Sequence, residues 1–468
     1  MAKEILSHFT SKPKSIAERI EAGKALRVSQ PLAGLGEYTP PARRQDPVAI
    51  LEKQAESRLK ELVPIRYARM LVSPFAFLRG AAAIMAADLA GSPTSGMKVQ
   101  ACGDLHLANF GVFASAERKL IFGINDFDET LPGPWEWDLK RLVASIVVGF
   151  RFLGADEEVC AAAVKAAVKS YRKHLKQYAH MGHLETWYST MTEKEILRSL
   201  PDDARKALKK ITDKARERTH MQVLDKLTDI VDDKYRLKVN APFIVREKHS
   251  QQGRPIMEAL GLVLESYIKS LADDRRALLE QYRIVDVARK VVGVGSVGTR
   301  CWIIFLAGTR GGDPLFLQVK EAQPSVLAPY AGKSKYTMHG QRVVSGQRLI
   351  QGAPDIFLGW GELDGIHFYI RQLRDMKGGV EFDEKNFNPD NGIAYCKLCA
   401  WATALAHAKS GDAAMLHGYV GKHDTLDKAM VRFAFSYAAQ NEQDYNALVA
   451  AAKSKRVKVA KAEPMVAE

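Results

Sequence analysis

Two short apolar runs, each followed at once by polar residues, constrain the fold more than any other part of the sequence. The run MKVQAC leads into GDLHLANF, and the run KLIFGI leads into NDFDE. Short runs rich in branched side chains predict β-strands, with the polar residues in loops at their ends. We expect Asp104 and Asp126 to lie at the ends of neighbouring strands, with Asn109 in the first loop. Carboxylate and amide oxygens placed in this way suit Mg²⁺.

The rest of the chain alternates between helical and strand patterns in long blocks. Residues 47–95 and 137–282 carry apolar side chains at helical spacing, whereas short branched or aromatic runs between residues 284 and 373 predict strands. Helix returns with GIAYCKLCAWATALAHAKSG. The blocks predict an α+β protein with an N-terminal extension (1–46), a helical lobe (47–283), a β-rich lobe (284–375), C-terminal helices (376–450) and a basic, disordered tail (451–468).

The composition limits the environment and the partners of the chain. No apolar stretch is long enough to span a bilayer, the N-terminus has no secretory core, and five cysteines are too few to hold 468 residues together. We therefore expect a cytoplasmic protein without a membrane span. The formal net charge is +14, but the basic runs contain few aromatic residues. This disfavours nucleic acid as a partner and is compatible with an anionic small molecule or protein.

A second informative motif, GVGSVG, lies in the strand-rich block. It places Gly293, Gly295 and Gly298 in a GxGxxG pattern, which is a weak signal when taken alone. In a dinucleotide-binding fold a helix would follow immediately, but the next residues, TRCWIIFLAG, predict a strand. A glycine loop between two antiparallel strands therefore fits better. Lys320, on the following strand, is spaced to reach phosphates beneath such a loop.

Together the motifs resemble those of the aminoglycoside and choline phosphotransferase branch of the kinase-like superfamily. GDLHLAN is similar to the GDxHxxN loop of that branch, INDFDE to its metal loop, and WEWDLKRL to the helix that follows. Over roughly residues 45–443, the same motifs with GVGSVGTR, QVKEA and ALAHAKSGD resemble more closely the bacterial family called domain of unknown function 2252 (DUF2252). The resemblance implies a kinase-like two-lobe fold.

The order of the motifs differs from that of an ordinary kinase-like chain. The loops of Asp104 and Asp126 precede the glycine loop and Lys320, whereas the kinase-like order is the reverse. The cyclic order is nevertheless kept, since the helix ending LAHAKSG, which should lead into the catalytic loop, lies near the C-terminus. We expect a circularly permuted fold, which is tolerable where chain termini lie close together. Two unrelated halves are the competing interpretation.

The resemblance implies a phosphotransferase that uses ATP and Mg²⁺. Asp104 would accept the proton of the acceptor hydroxyl, and Asn109 and Asp126 would bind the metal. Asp128 and Glu129 would support the metal through water or orient its loop. Asp138 would accept backbone N–H groups of the catalytic loop, although a simple helix N-cap explains this residue nearly as well.

The remaining roles implied by the resemblance concern the nucleotide. The three glycines would cover the phosphates, and Lys320 would pair with them. The backbone of Arg371 and Leu373 would bind adenine. His106 would stabilise the catalytic loop as a hydrogen-bond donor. The acceptor, a small molecule or a protein, is not identified by these motifs.

One departure from the kinase-like pattern leaves the activity open. No glutamate occurs between Ala322 and Gly361, where a helix glutamate usually pairs with the lysine. Gln341, Gln347 or Glu321 could replace it. A non-catalytic nucleotide-binding scaffold and an enzyme that transfers a nucleotidyl group are therefore alternatives to a phosphotransferase.

Two further patterns have a structural and a functional interpretation. Arg66, Arg69 and Arg79 precede the first strand, where they would bind an anionic acceptor or form ion pairs between helices. Cys396 and Cys399 form a single CxxC on a predicted helix, with no second pair at zinc spacing. Core packing is the better interpretation of these cysteines.

Overall fold

A computed structural model gives the fold and describes residues 6–7, 9–217, 220–232, 234–250, 253–310, 313–373, 376–379 and 384–461. The described residues form a mixed α and β structure. The helices are α1 (Ile16–Ser29), α2 (Pro47–Ala55), α3 (Val63–Met70), α4 (Pro74–Gly80), α5 (Ala82–Leu89), α6 (Trp135–Phe152), α7 (Glu157–Ala179), α8 (His183–Tyr188), α9 (Glu193–Ser199), α10 (Asp202–Glu217), α11 (His220–Leu227), α12 (Ile256–Ser270), α13 (Asp273–Leu279), α14 (Ala328–Ala331), α15 (His339–Ile350), α16 (Pro389–Ser410), α17 (Ala413–Val420) and α18 (Thr425–Lys453). The strands are β1 (Lys98–Ala101), β2 (Phe110–Ala114), β3 (Leu120–Ile124), β4 (Leu131–Pro134), β5 (Met191–Thr192), β6 (Thr228–Val231), β7 (Lys234–Leu237), β8 (Ile244–Val245), β9 (Tyr282–Lys290), β10 (Cys301–Gly308), β11 (Pro314–Glu321), β12 (Gly359–Leu363) and β13 (Ile366–Gln372).

The helical body is built around α6, which is buried from Trp135 to Phe150. A helix of this kind belongs inside a core rather than at a surface. Helices α7, α16 and α18 pack around it. Helix α1 also belongs to this body, because Arg27 donates to the carbonyl oxygen of Tyr419 at 2.7 Å and α1 packs along α17. The predicted N-terminal extension is therefore integrated into the helical core from residue 16 onwards.

The largest sheet has six antiparallel strands in the order β12-β13-β11-β10-β9-β8. Helix α12 covers one face, where Val263 and Tyr267 pack in one buried cluster with Ile304 and Leu317. The sequence predicts that the helical lobe extends to residue 283, but β8 and α12 pack with this sheet instead. The two-residue strand β8 is too short to give an alternating pattern, so the boundary could not be placed from periodicity.

The strands next to the polar loops are paired differently from the prediction. Strand β1 pairs with β4, whereas β3 pairs with β2 and β5, so Asp104 and Asp126 do not follow neighbouring strands of one sheet. The reason is that the first loop runs directly into β2, which forms a hairpin with β3. The two loops still meet, because the N–H of Asn125 donates to the carbonyl oxygen of Asn109 at 2.9 Å.

The C-terminal segment also departs from the prediction of a disordered tail. Helix α18 continues to Lys453, and Val457 is buried against the side chains of α2 and α3. Arg456 forms ion pairs with Asp46 and Glu52. The tail is thus packed on the N-terminal helices up to residue 461, and residues 462–468 lie outside the described part. Among the described residues, no helix is both long enough and apolar enough to cross a membrane.

Candidate active site

A buried aspartate of α6, Asp138, holds the start of the first polar loop, residues 103–109, by hydrogen bonds. The N–H groups of Cys102 and Gly103 donate to the two carboxylate oxygens of Asp138 at 2.7 and 2.9 Å. Asp138 lies three residues inside α6 rather than at its cap, so the N-cap interpretation is wrong. His407, on α16, approaches the same carboxylate with its Nε2 atom 3.3 Å from Oδ2. A helix near the C-terminus therefore supports a loop that lies in the first quarter of the chain.

Asp104 is held by an arginine that the sequence analysis missed. Nε of Arg141 donates to Oδ1 of Asp104 at 2.7 Å, and the same guanidinium donates to the carbonyl oxygen of Leu78 at 2.8 Å. Burial raises the pKa of the Asp104 carboxyl, Arg141 opposes this, and Asp126 adds to it. Arg141 follows Asp138 by three residues, so both project from one face of α6. The three-residue spacing of Asp138 and Arg141 in WEWDLKRL is the feature of the sequence from which this role of Arg141 could have been predicted.

Asn109 and Asp126, the predicted metal ligands, come together through backbone contacts between their loops. Nδ2 of Asn109 donates to the carbonyl oxygen of Asp104 at 2.6 Å, which leaves its Oδ1 atom for another partner. The thiol of Cys102 contacts the carbonyl oxygen of Asp126 at 3.1 Å. Burial, followed by the charge of Asp128, raises the pKa of Asp126. Both side chains line one cavity with Asp104.

His106 differs from the prediction of a loop-stabilising donor. Its imidazole is buried, its Nδ1 atom has no hydrogen-bond partner among the described residues, and its Nε2 atom lies 4.0 Å from Oδ2 of Asp104. Burial, reinforced by Arg79 and Arg141, lowers the pKa of His106 well below its usual range. The neutral imidazole therefore contributes packing and polarity beside Asp104 rather than a strong hydrogen bond.

Asp128 and Lys320 form the tightest polar contact between the second loop and the six-stranded sheet. Nζ of Lys320 donates to Oδ2 of Asp128, and the hydroxyl of Tyr369 donates to Oδ1 at 2.5 Å. Burial opposes ionisation of Asp128, but Lys320 and the two hydrogen bonds outweigh it and lower the pKa of that carboxyl. Asp128 thus takes the place of the missing helix glutamate as the partner of the lysine. Gln347 instead donates to Gln351.

The glycine loop joins the antiparallel strands β9 and β10, as the sequence predicts. Gly293 and Gly298 have φ values of +63° and +91°, a conformation that favours glycine. The guanidinium of Arg69 donates to the carbonyl oxygen of Gly293, and the N–H of Leu59 donates to that of Gly298 at 2.8 Å. Side chains and backbone around α3 therefore hold this loop at both ends.

The two polar loops and the glycine loop enclose one cavity of about 300 Å³. Its described lining includes Asp104, His106, Asn109, Asp126, Asp128, Glu129, Gly293, Gly295, Arg58, Arg79, Arg371 and Lys377. Lys320 is only 4% exposed and lies behind Asp128, and it is not among these described lining residues. Gly298 lies to one side, against Arg58. The structure thus brings together most of the predicted site, with Arg371 rather than Lys320 as the cation that the sheet presents to the cavity.

Arg371 and Leu373, predicted to bind adenine through their backbone, have different surroundings. The N–H of Leu373 donates to the carbonyl oxygen of Phe316 at 2.8 Å, and that of Gln372 donates to Asp355. Leu373 is buried in a cluster beneath the sheet. These two amides are therefore engaged within the protein. The side chain of Arg371 instead enters the cavity, where Nε donates to Gln318 at 3.0 Å.

Glu129 is another cavity residue that the sequence analysis assigned only a supporting role. Its Oε2 atom accepts the N–H of Val326 at 2.7 Å. Burial raises the pKa of the Glu129 carboxyl to about 7, against the nearby charge of Arg342. Arg342, on α15, donates to the carbonyl oxygens of Asp128 and Thr130. The helix that lacks the usual glutamate thus presents an arginine that fixes the second loop.

Cys396 and Cys399 are fully buried in the helical core, and all five cysteines are free thiols. Among the described residues, no group of three or more His, Cys, Asp and Glu side chains could by itself hold a metal ion. Core packing of the CxxC cysteines is confirmed.

The fold and the cavity define a mixed α and β protein with one polar, charged cleft between a helical body and an antiparallel sheet. The chain belongs to the family described as "Uncharacterized protein conserved in bacteria (DUF2252)", whose model matches residues 58–451. No curated protein and no solved structure matches the chain.

Proposed function

We propose that this protein is an ATP- and Mg²⁺-dependent phosphotransferase with a circularly permuted, kinase-like two-lobe fold, acting on a hydroxylated acceptor. One observation carries the proposal. Asp104, Asn109 and Asp126 line the same cavity as Gly293, although about two hundred residues separate the two groups. Phosphoryl transfer needs this combination of a base, oxygen ligands for a metal and a glycine loop over phosphates.

The residues of the cleft fit Mg²⁺ by their chemistry. Asn109 and Asp126 offer an amide oxygen and a carboxylate, which are hard oxygen donors. Mg²⁺ is usually held in proteins by one or two carboxylates together with substrate phosphates and water, rather than by a complete protein cage. When bound, the ion would neutralise negative charge on the phosphates. The lack of a larger acidic cluster among the described residues is compatible with this mode.

Residues of the cleft would then have separate roles in proton transfer and in phosphate binding. Arg141 occupies Oδ1 of Asp104, so Oδ2 is the atom that would accept the proton of an acceptor hydroxyl. The raised pKa of Asp104 favours proton transfer at neutral pH, since a base works best when its pKa approaches the operating pH. Arg371 would meet phosphate oxygens from the sheet side, and Lys320 would hold Asp128 in place.

The burial of Lys320 also supports a second candidate function. A lysine that is 4% exposed and is not among the described residues that line the cavity is less available to phosphates than the lysine of an active kinase-like site. A non-catalytic nucleotide-binding scaffold would have this feature. Transfer of a nucleotidyl group is the third possibility that the same cleft allows.

Labelled ATP separates the three candidates. The full chain would be incubated with Mg²⁺ and a mixture of metabolites and proteins, using ATP labelled at either the γ- or the α-phosphate. We expect transfer of the γ-label alone. Transfer of the α-label would replace the proposal by nucleotidyl transfer, and binding of ATP without transfer of either label would favour the scaffold.

A further inference from the structure

Three arginines on the helical side of the cleft, Arg58, Arg66 and Arg79, form no ion pair with a carboxylate among the described residues. Arg66 donates to Gln54 and to the carbonyl oxygen of Gly80, and Arg58 donates to the carbonyl oxygen of Val297. Arg58 is 8% exposed, and its Nε atom is buried with no partner in the described part of the chain. These guanidinium groups leave positive charge at the cavity wall.

Arg79 is the member of this group that is best placed to bind a ligand. It is half-buried at the end of α4 and lines the cavity. Within the described ranges its side chain forms no hydrogen bond or ion pair, and its Nε atom is buried without a partner. A guanidinium presents five donors in a rigid fork that matches an oxyanion. The buried Nε–H of Arg79 lacks an acceptor in the described part of the chain, which is costly unless a ligand supplies one, and the remaining donors of the fork are open to the cavity.

No acidic residue that lines the cleft forms a hydrogen bond or ion pair with Arg79 in the described part of the chain, and three of the five acidic lining residues are paired with other cations. Asp104 is bound to Arg141, and Asp128 is bound to Lys320. Glu321, which also lines the cavity, pairs with Arg300 at 2.9 Å. The positive charge of Arg79 is therefore directed to the cavity rather than to the protein.

The position of Arg79 relative to Asp104 indicates which ligand it would meet. The residue before it, Leu78, gives its carbonyl oxygen to Arg141, the same side chain that donates to Asp104. Arg79 thus lies on the helical side of the cavity, between the proposed base and Gly295 of the glycine loop, which is close to the carbonyl oxygen of Arg79. Arg371 enters the cavity from the sheet side. Burial disfavours ionisation of the Asp126 and Asp128 carboxyls, and the charge of Arg371 opposes this effect on the pKa of both, so Arg371 lies nearer to these two residues than Arg79 does.

We propose that Arg79 binds an anionic group of the acceptor, so that the substrate is a hydroxylated compound that also carries a phosphate or a carboxylate. This inference rests on the proposed function, since it takes Asp104 as the group that meets the acceptor hydroxyl. Arg58 would add positive charge to the same wall. The nucleotide phosphates are the other possible source of such an anion.

The test uses the full chain saturated with Mg²⁺ and a non-hydrolysable ATP analogue, titrated with inorganic phosphate in a calorimeter. We expect phosphate to bind the loaded wild type, and Arg79→Gln to weaken that binding by roughly 10- to 100-fold. Arg79→Lys, which keeps the charge but not the fork, should fall between them. Arg43→Gln is the matched control, because Arg43 is exposed and lies outside the cavity. It should bind phosphate as the wild type does.

Three results would overturn the inference. The first is a loaded wild type that does not bind millimolar phosphate, and the second is equal binding by wild type and Arg79→Gln. The third is a loss of nucleotide affinity in Arg79→Gln as large as the loss of phosphate affinity, which would assign Arg79 to the nucleotide. Retained nucleotide binding also shows that the variant is folded. If the wild type fails to bind the analogue at all, the proposed function fails, and phosphate titration of the unloaded proteins still decides whether Arg79 holds an anion.

Discussion

The first polar loop (residues 103–109) and the glycine loop face the same cavity, but the protein holds them in different ways. Two buried side chains of one helix, Asp138 and Arg141, hold the first polar loop through its N–H groups and through Asp104. The glycine loop is held at its carbonyl oxygens by Arg58 and Arg69. The first polar loop is therefore anchored by buried groups close to Asp104, whereas the glycine loop is anchored mainly at its ends.

The largest expected effect is at the first polar loop. Asp104→Asn should lower turnover by roughly 10²- to 10⁴-fold, the usual contribution of a positioned acid or base. Nucleotide affinity should change little, because the amide keeps the shape of the carboxylate. The measurement is kcat with labelled ATP, and Asp203→Asn, on the exposed face of α10, is the control. A decrease of less than threefold would mean that Asp104 is structural.

Asp138→Ala should lower stability rather than turnover alone. The change leaves the N–H groups of Cys102 and Gly103 buried without acceptors, at a cost of roughly 3 kcal/mol in the free energy of unfolding. Urea unfolding of the two proteins gives that difference directly. Asp138→Asn, which keeps one acceptor oxygen, should lose less. Stability unchanged in both variants would show that the loop does not depend on α6.

The raised pKa of Glu129 predicts that the stability of the protein depends on pH. Its folded-state pKa of about 7 is above the ordinary value of 4.5, so the folded protein retains a proton that the unfolded chain releases. The resulting stabilisation is complete below pH 4.5 and is lost as the pH rises through 7; it amounts to at most about 3 kcal/mol. Urea unfolding of wild type and Glu129→Gln at several pH values tests this. Parallel curves for the two proteins would contradict it.

The smallest effect is expected on the glycine side. Ser296 bridges the glycine loop to the second loop, with its hydroxyl donating to Oδ2 of Asp128 at 3.3 Å. Because this hydrogen bond is long, Ser296→Ala should weaken nucleotide binding by only about two- to fivefold. Calorimetric titration with the ATP analogue measures the change. A loss above about fiftyfold would show that the loop is as firmly fixed as its counterpart, and the comparison would fail.

The sequence predicted the local parts of this site better than their partners. The glycine loop and the two polar loops follow from short motifs whose residues are near one another in the chain. The contact of Asp138 with the N–H groups of Cys102 and Gly103 spans about 35 residues and was implied by the resemblance to the kinase-like pattern. The ion pair between Lys320 and Asp128, and the entry of Arg371 into the cavity, join residues far apart in sequence. Periodicity contains no information on such contacts. The pairing of β1 with β4 was missed for the same reason, since short strands do not specify their neighbours.

The central claim is that the two halves of the chain form one Mg²⁺-dependent nucleotide site. Calorimetric titration of the full chain with ATP, in Mg²⁺ and again in EDTA, tests it most directly, with Asp126→Asn as the paired variant. We predict binding in Mg²⁺ that EDTA abolishes, and a weakened dependence on Mg²⁺ in Asp126→Asn, because the variant removes a charge from the ligand set. No binding at millimolar ATP with Mg²⁺, or equal binding in EDTA by both proteins, would contradict the claim.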